Sequence, residues 1–417
     1  MIEFERFTLK NGLRVLFHQD VTTPMAVVNT LYDVGARDEN ENKTGFAHLF
    51  EHLMFGGSVH IPDFDAPLQN AGGESNAFTS NDLTNYYNVL PKENIETALW
   101  LESDRMLSLA FTPKSLEVQR NVVIEEFKQR YLNQPYGDVW LELRPLAYEV
   151  HPYKWATIGK NIQHIEDATM EDVRSFFKKH YHPANAVLCI AGNFELEEVK
   201  MLVEKYYGEI PAQEKNIRIL DKEPDQSIFK EKTIYRNVPA DAFYFAFKMP
   251  ERKDPKYYIV DALSDALGRE KSSRLFVELK KEKKLCSEIQ AYITGNIDEG
   301  LLIISGKLNS GVDFGDFEKA LWACIDDFSK SFMSDEEMIK LVNKIRTSKE
   351  FQEQGLLNRA MNLSFFELLG NANGINEELE IYQKITVHHI QEIAKRILKQ
   401  TNCSLLRVIA DKNEPNG

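Results

Sequence analysis

Two histidines and a glutamate near the amino terminus have the spacing of a metal site. His48 and His52 are four residues apart, so on a helix they would lie about 40° apart around the axis and one turn along it. Two imidazoles placed in this way can bind one metal ion. Glu51 would lie on the adjacent side of the same face, where its carboxylate could accept a proton from a water at the metal. The segment therefore predicts a hydrolytic metal centre on a helix.

Zinc suits this set of ligands. It accepts neutral imidazole and carboxylate, has no redox chemistry, and in catalytic sites keeps one position open. A third protein ligand is needed, and the acidic pair Glu125 and Glu126, on a helix predicted over residues 114–132, is the best candidate in the first half of the chain. Only one of these neighbours can point directly inward, and the spacing leaves the choice open.

Less specific interpretations compete with these features. Short motifs occur by chance, so His48 and His52 could also be half-buried side chains on an amphipathic helix. His388 and His389 stand at the start of a later helix and are expected to face solvent. The basic run at residues 280–284 is expected to be a solvated helical face.

Helices and strands must position these residues, and the chain predicts both. Residues 5–34 are typical of two strands around the hairpin turn Asn11-Gly12. Helical spacing of apolar residues begins near Gly45 and returns over residues 94–109 and 114–132. The mixture predicts the α+β fold class.

Several of these patterns occur twice. A helix opened by Thr169 and followed by a buried strand recurs at Thr386. The segment His48-Leu-Phe-Glu-His-Leu has a counterpart in Ala262-Leu-Ser-Asp-Ala-Leu, which keeps the apolar spacing without either histidine. The chain therefore predicts an internal duplication in which the second copy has lost the metal ligands.

We expect two similar α+β domains, residues 1–212 and 225–417. The polar, proline-flanked stretch at residues 211–224 would join them. A chain of 417 residues is long enough to bury a core in each domain. Because the second domain lacks the histidines, one zinc ion per chain follows.

The overall composition limits which classes of partner the protein can bind and indicates where in the cell it is located. The chain carries 64 acidic and 50 basic residues, a net charge of −14, which argues against nucleic acid and makes basic peptides the easier charged partners. Four scattered cysteines predict neither a disulfide framework nor a thiolate zinc site. Without a run of about 18 apolar residues or a recognisable signal or transit segment, we expect no membrane span and a cytoplasmic location.

The sequence around the histidines resembles that of a known family. Residues 45–58 look like the signature of the pitrilysin/insulinase zinc metallopeptidases, the inverzincins, and the resemblance covers nearly the whole chain. The other matching segments are residues 35–39, 72–79, 101–105, 122–126, 151–153, 185–186, 191–194 and 272–275. In length the chain resembles the small-subunit members, such as the β subunit of mitochondrial processing peptidase and its bacterial relatives.

The resemblance implies a role for each residue of the motif. His48, His52 and Glu126 would bind zinc, Glu125 would be the fallback third ligand, and Glu51 would be the general base. Each domain would be a mainly antiparallel sheet packed with helices, and the chain would form half of a clamshell chamber. The implied activity is that of a zinc-dependent endopeptidase acting on peptides or unfolded segments.

The resemblance also implies where substrate binds. Asn76-Ala77-Phe78-Thr79 would form an exposed edge strand to which the substrate backbone adds as a further strand. The alternative is an ordinary strand after the turn at Gly72-Gly73. One departure from the family is Gln119, which stands where a Glu often precedes the third ligand by seven residues. The amide could still form hydrogen bonds, but a charge near the ligands would be missing.

Partners follow from the same comparison. Two domains make half of the four-domain clamshell of the long single-chain relatives, so we expect a dimer, either a homodimer or a heterodimer with a homologous subunit that lacks the zinc motif. In those relatives the far wall carries an Arg and a Tyr that grip substrate, and the corresponding residues 300–307 contain neither. The rival interpretation is a non-catalytic or peptide-binding subunit of the same fold.

Overall fold

The computed structural model describes residues 1–215 and 217–411, which form two compact units. Unit 1 consists of Met1–Lys128, Trp155–Leu220 and Lys349–Glu378; unit 2 consists of Gln129–Lys154, Asp221–Ser348 and the chain from Leu379. Residue 216 of the predicted linker and residues 412–417 of the predicted second domain lie outside the described residues. No described helix is both long and apolar enough to cross a membrane.

Unit 1 contains a six-stranded sheet. Its strands are β1 (Glu5–Thr8), β2 (Arg14–Gln19), β3 (Met25–Tyr32), β4 (Glu74–Thr79), β5 (Thr84–Pro91) and β6 (Ala186–Gly192). They lie in the order β1-β2-β6-β3-β5-β4. β2 and β6 run parallel, and the other neighbours are antiparallel. Every residue of β6 is buried, as its unbroken apolar run predicts, whereas β4 is an edge strand.

Unit 2 contains a five-stranded sheet. Its strands are β7 (Lys230–Arg236), β8 (Ala242–Lys248), β9 (Cys286–Ile293), β10 (Leu301–Leu308) and β11 (Cys403–Ala410). They lie in the order β7-β11-β8-β10-β9. Here too one pair, β7 with β11, is parallel and the rest are antiparallel.

The two sheets have the same topology. Without β1, the order β2-β6-β3-β5-β4 maps strand for strand onto β7-β11-β8-β10-β9, parallel pair included. The helices opened by Thr169 and Thr386 also correspond, because each threonine side chain accepts the backbone N–H of the residue three positions later. The predicted α+β fold of two duplicated, mainly antiparallel domains is confirmed.

Helices surround both sheets. In the first half they are α1 (Phe46–Leu53), α2 (Asp65–Asn70), α3 (Ile95–Leu107), α4 (Pro113–Phe127), α5 (Val139–Ala147), α6 (Gln163–Glu166), α7 (Met170–His180) and α8 (Leu196–Tyr207). In the second half they are α9 (Lys256–Ser264), α10 (Phe314–Lys330), α11 (Asp335–Gln354), α12 (Leu356–Leu369), α13 (Gly374–Gln383) and α14 (Val387–Ile397). A π-helical segment, Lys128–Leu132, continues α4. The helices predicted over residues 94–109 and 114–132 are therefore present.

One helix from each half of the sequence belongs to the opposite unit. α12, from the second half, packs on β3 and β6 of unit 1, where Leu363 shares a buried cluster with Val27. Its Ser364 hydroxyl accepts a hydrogen bond from the buried side chain of Asn29 at 3.0 Å. α5, from the first half, packs on β8 and β11 of unit 2. The duplicated halves have thus exchanged equivalent helices.

The compact units consequently differ from the halves of the sequence. The chain passes from unit 1 to unit 2 between Leu220 and Asp221, inside the stretch predicted as a linker. Segments 129–154 and 349–378 each lie in the unit opposite to their half. The predicted domains, residues 1–212 and 225–417, describe the two duplicated segments of the sequence and not the compact units. Their boundaries stay a prediction.

Candidate metal centre

α1 carries the two histidines on the face turned away from its packed side. Its buried residues are Phe46, Ala47, Leu49, Phe50 and Leu53. They recur at the three- and four-residue intervals that place side chains on one face of a helix. His48, Glu51 and His52 occupy the remaining positions and are only partly buried. Because the apolar residues of α1 occupy the packed face, all three polar side chains lie together on the accessible face.

α4 brings a carboxylate to this face. It begins with the capping Thr112 and with Pro113 in the first turn, and it packs against α1. Glu126 is partly buried, whereas its neighbour Glu125 is exposed and pairs with Lys128 at 2.7 Å. Of the two carboxylates that the spacing left open, the structure turns Glu126 toward the histidines.

His48, His52 and Glu126 converge. Nε2 of His48 lies 3.6 Å and Nε2 of His52 lies 3.3 Å from Oε2 of Glu126. The ring centroids of the histidines are 4.8 Å apart, with the planes at 82°. In the part of the chain that the structure describes, this is the one group of three or more His, Cys, Asp or Glu side chains whose ligand atoms lie within 4.8 Å of one another.

The donors fit zinc. Two imidazole nitrogens and one carboxylate oxygen form the protein ligands of many catalytic zinc sites, which leave a further position for water or substrate. The exposed fractions of the side chains are 12 % for His48, 24 % for His52 and 16 % for Glu126. An ion held between them would be shielded on the protein side and reachable by substrate. The assignment of the ligands remains a prediction.

Glu51 lies beside two buried tyrosines. Burial raises the pKa of Tyr86 and of Tyr181, and the nearby charge of Glu51 adds to the rise in both. Glu51 makes no ion pair with any described residue. Its carboxylate is therefore available to a ligand on the accessible face of α1, as a general base requires.

The sequence did not assign a role to Glu39, which holds the start of α1. Its Oε2 accepts the N–H of Gly45 at 2.9 Å and its Oε1 accepts the N–H of Ala47 at 2.8 Å. Burial raises the pKa of Glu39 to about 8, and the two backbone donors act in the opposite direction. A glycine at the helix start, which offers no capping side chain, was the available signal.

The residues predicted to bind substrate lie on β4. This strand is at the edge of the sheet in unit 1 and packs beside α1. Along Asn76-Ala77-Phe78-Thr79 exposed and partly buried side chains alternate. The N–H of Ala77 donates to the side chain of Asn76 at 2.8 Å, so it points away from β5. The structure thus provides the predicted edge, and its use by substrate stays a prediction.

Two further positions were singled out from the sequence. Gln119 lies on α4, seven residues before Glu126, and is partly buried. Residues 300–307, where an Arg and a Tyr were sought, fall on β10, an interior strand between β8 and β9. The strand of unit 2 that corresponds to β4 is β9.

Two family models match the chain. The model described as Insulinase (Peptidase family M16) matches residues 14–147, the stretch that contains His48, Glu51, His52 and Glu126. The model described as Peptidase M16 inactive domain matches residues 167–345. The matches divide the chain into a first part that carries the candidate metal centre and a second part that does not.

Named proteins are similar over most of the chain. The zinc protease PqqE of Helicobacter pylori is 31 % identical over 353 residues, which cover 83 % of this chain and 79 % of that protein. The β subunit of mitochondrial-processing peptidase from Saccharomyces cerevisiae is 26 % identical over 308 residues, which cover 70 % of this chain and 66 % of that protein.

Solved structures share the fold. A protease from Helicobacter pylori is 27 % identical and superimposes with a TM-score of 0.93, covering 98 % of this chain and 100 % of that chain. The periplasmic protease PqqL from Escherichia coli is 18 % identical and has a TM-score of 0.80, covering 99 % of this chain but 48 % of that one. The longer protein therefore contains about twice the length of the present chain.

Proposed function

The chain belongs to the insulinase family of peptidases, M16, and we propose that it is a zinc-dependent endopeptidase. The observation that carries the proposal is the convergence of His48, His52 and Glu126 on the accessible side of α1. These side chains supply the donors that catalytic zinc prefers. The similarity to a protein named as a zinc protease supports the same metal.

Glu51 performs the proton transfers of the proposed reaction. A bound zinc ion would supply Lewis acidity, which polarises a peptide carbonyl and makes water a stronger acid. Glu51 accepts the proton of the attacking water and returns it to the leaving amine. Its position three residues after His48 places it on the helix face of the ligands without making it one of them.

The edge strand β4 supplies the proposed substrate contact. The outward N–H of Ala77, which donates to the neighbouring side chain of Asn76, is an edge group to which an extended peptide could add in place of that contact. The whole net charge of −14 lies on unit 1, because unit 2 contains equal numbers of acidic and basic residues. Such a field favours basic peptide segments, and more so at low salt.

A peptide-binding subunit without catalysis is the second candidate function. It is supported by the match of residues 167–345 to the domain described as inactive. The candidate ligands lie outside that stretch, within the region that matches the insulinase model. The two candidates differ in the fate of a bound peptide, which an assay can measure.

The test combines zinc content with peptide cleavage. We expect the purified chain to hold about one zinc ion and to cleave an internally quenched peptide, and a chelator to stop cleavage. Glu51→Gln should retain the zinc but lose activity by at least ~100-fold, because proton transfer is removed and the ligands are not. A zinc-loaded wild type that binds peptides without cleaving them would favour the binding subunit. Equal activity in Glu51→Gln would contradict the role of Glu51.

A further inference from the structure

The helix that carries the histidines begins without a capping side chain of its own. Its first flanking residue, Gly45, has a φ of +90°, and a Cβ there would lie 2.6 Å from the carbonyl oxygen of Ile158. The serine, threonine, aspartate or asparagine that usually caps a helix is therefore excluded from this position. The N–H groups of the first turn need an acceptor from elsewhere.

Glu39 provides that acceptor from six residues upstream. Its two oxygens bind the N–H groups of Gly45 and Ala47, and the residue is only 8 % exposed. Water cannot readily replace a buried acceptor, so its loss would leave two donors unsatisfied. Ala47 directly precedes His48, and the bond therefore fixes the backbone next to a proposed ligand.

The segment that carries Glu39 is itself held in place. The carboxylate of Asp38 accepts the N–H of Gly35 at 2.9 Å and the Nε–H of Arg218 at 2.6 Å. Both oxygens of Asp38 are thus engaged immediately before Glu39. The carboxylate of Glu39 approaches α1 from an anchored turn, which limits how far it can shift.

The duplicated half of the chain offers an internal comparison. The equivalent helix without histidines, α9, begins after Pro255. There the side chain of Asp254 accepts the N–H of Lys256 at 2.8 Å, a contact between residues two positions apart at the start of the helix. In the correspondence that matches His48 with Ala262, α9 begins four residues earlier than α1, so this local contact serves a different turn. The distant carboxylate occurs in the copy that carries the proposed ligands.

We infer that Glu39 is a positioning residue for the metal centre: its buried carboxylate holds the first turn of α1 so that His48 meets His52 and Glu126. The inference rests on the proposed zinc-dependent function. A purely structural role would lower the stability of the metal-free protein and leave the zinc affinity of the folded protein unchanged. Positioning predicts a change in affinity and in ligand geometry.

The experiment compares Glu39→Gln with a matched control. Glu41→Gln makes the same substitution two residues away, at an exposed carboxylate that pairs with Lys160. Zinc affinity is measured by competition with a chelator, ligand geometry by the visible absorption of the Co²⁺-loaded protein, and folding by thermal unfolding of the metal-free protein. We expect Glu39→Gln to weaken zinc binding by about 10- to 100-fold and to alter the Co²⁺ spectrum. Glu41→Gln should have the zinc affinity and the Co²⁺ spectrum of the wild type.

Each outcome decides the inference. A folded Glu39→Gln with wild-type zinc affinity and Co²⁺ spectrum would overturn it, and so would an equal loss in Glu41→Gln. Should Glu39→Gln not fold, Glu39→Asp retains the carboxyl group but is too short to reach both N–H groups, and unchanged affinity in that variant would overturn the inference equally. Failure of the wild type to bind zinc would overturn the proposed function as well, which distinguishes the two.

Discussion

Adjacent residues of α4 have different surroundings, and the difference decides what each can do. Glu126 lies within 3.6 Å of both histidine Nε2 atoms, whereas Glu125 has a side chain that is 61 % exposed and pairs with Lys128. The carboxylate of Glu126 can therefore contribute to a metal site. The carboxylate of Glu125 contributes little beyond an ion pair on the surface, which solvent and salt screen.

The two carboxylates should therefore differ when each is changed alone. Glu126→Gln should weaken zinc binding by at least about 10-fold, because an amide is a poorer ligand than a carboxylate. Glu125→Gln should stay within about 2-fold of wild type. Titration of each variant against a chelator measures the difference, and the opposite ranking would show that the other carboxylate is the ligand.

His180 is a buried histidine outside the metal centre. It ends α7 and contacts Phe176 with ring centroids 4.6 Å apart and planes at 48°. Among the described residues its Nε2 has no hydrogen-bond partner. Burial lowers the pKa of His180 to about 3, because a proton on the buried ring would lack solvation. The neutral form is favoured in the folded state.

This burial should make stability depend on pH. The folded pKa lies below the ordinary value of 6.5, so the contribution of His180 is fully present above pH 6.5 and is lost as the pH falls toward 3. The full loss is about 5 kcal/mol. His180→Gln should flatten the fall in unfolding free energy over this range. His388→Gln, a change at an exposed histidine, should not, and parallel pH curves for all three proteins would contradict the assignment.

Single residues could be predicted from the sequence when their partners lie nearby along the chain. His48, Glu51 and His52 sit within one helical turn, so their shared face follows from spacing alone. The choice of Glu126 over Glu125 depends on how α4 packs, and the family resemblance supplied it. Glu39 binds backbone N–H groups, so Gly45 could signal that a cap was missing, but which residue supplies it could be found only from the folded chain.

At the scale of elements, β4 combines an open edge with a position beside α1. The N–H of Ala77 donates to the side chain of Asn76 and takes no part in pairing with β5. A substrate strand would have to replace that contact. The edge therefore offers a hydrogen bond that can be removed without disturbing the sheet.

Proline at residue 77 tests this use of the edge. Ala77→Pro deletes the outward N–H, and proline is tolerated on edge strands where the missing donor faces solvent. We expect KM for a quenched peptide to rise several-fold with little change in thermal unfolding. Ala77→Val retains the N–H and serves as the control. Wild-type kinetics in Ala77→Pro would mean that substrate does not pair at this position.

Elements were predictable where local spacing determines them. The long helices, the buried strand β6 and the capped helices at Thr169 and Thr386 all follow from patterns within a few residues. The exchange of α5 and α12 does not follow from such patterns, because each helix packs on strands of the opposite half and no local pattern of residues identifies a partner so far along the chain.

At the scale of the whole molecule, the comparisons bear on assembly. A protein named as the β subunit of a peptidase is similar to this chain. On this ground we propose that the active form contains two such chains. The partner would be a second copy or a homologous subunit without the zinc motif.

Assembly can be tested together with activity. We expect the purified chain to be a dimer in solution, or to gain peptide cleavage when mixed with a homologous subunit that lacks the histidines. Light scattering gives the mass, and the quenched-peptide assay gives the activity of each mixture. A fully active monomer would contradict the proposal, and a fully active homodimer would remove the need for a second kind of subunit.

The exchanged helices also constrain how the protein can be made. On the ribosome, the last strand of the first sheet, β6, is complete at Gly192, but α12 emerges only after Leu369 has been added. Until then the nascent sheet lacks the helix that buries Val27 with Leu363, and exposed apolar surface of this kind invites aggregation. The amino-terminal half should therefore finish folding only after α12 has been synthesised, and expression of either half alone should give an insoluble product.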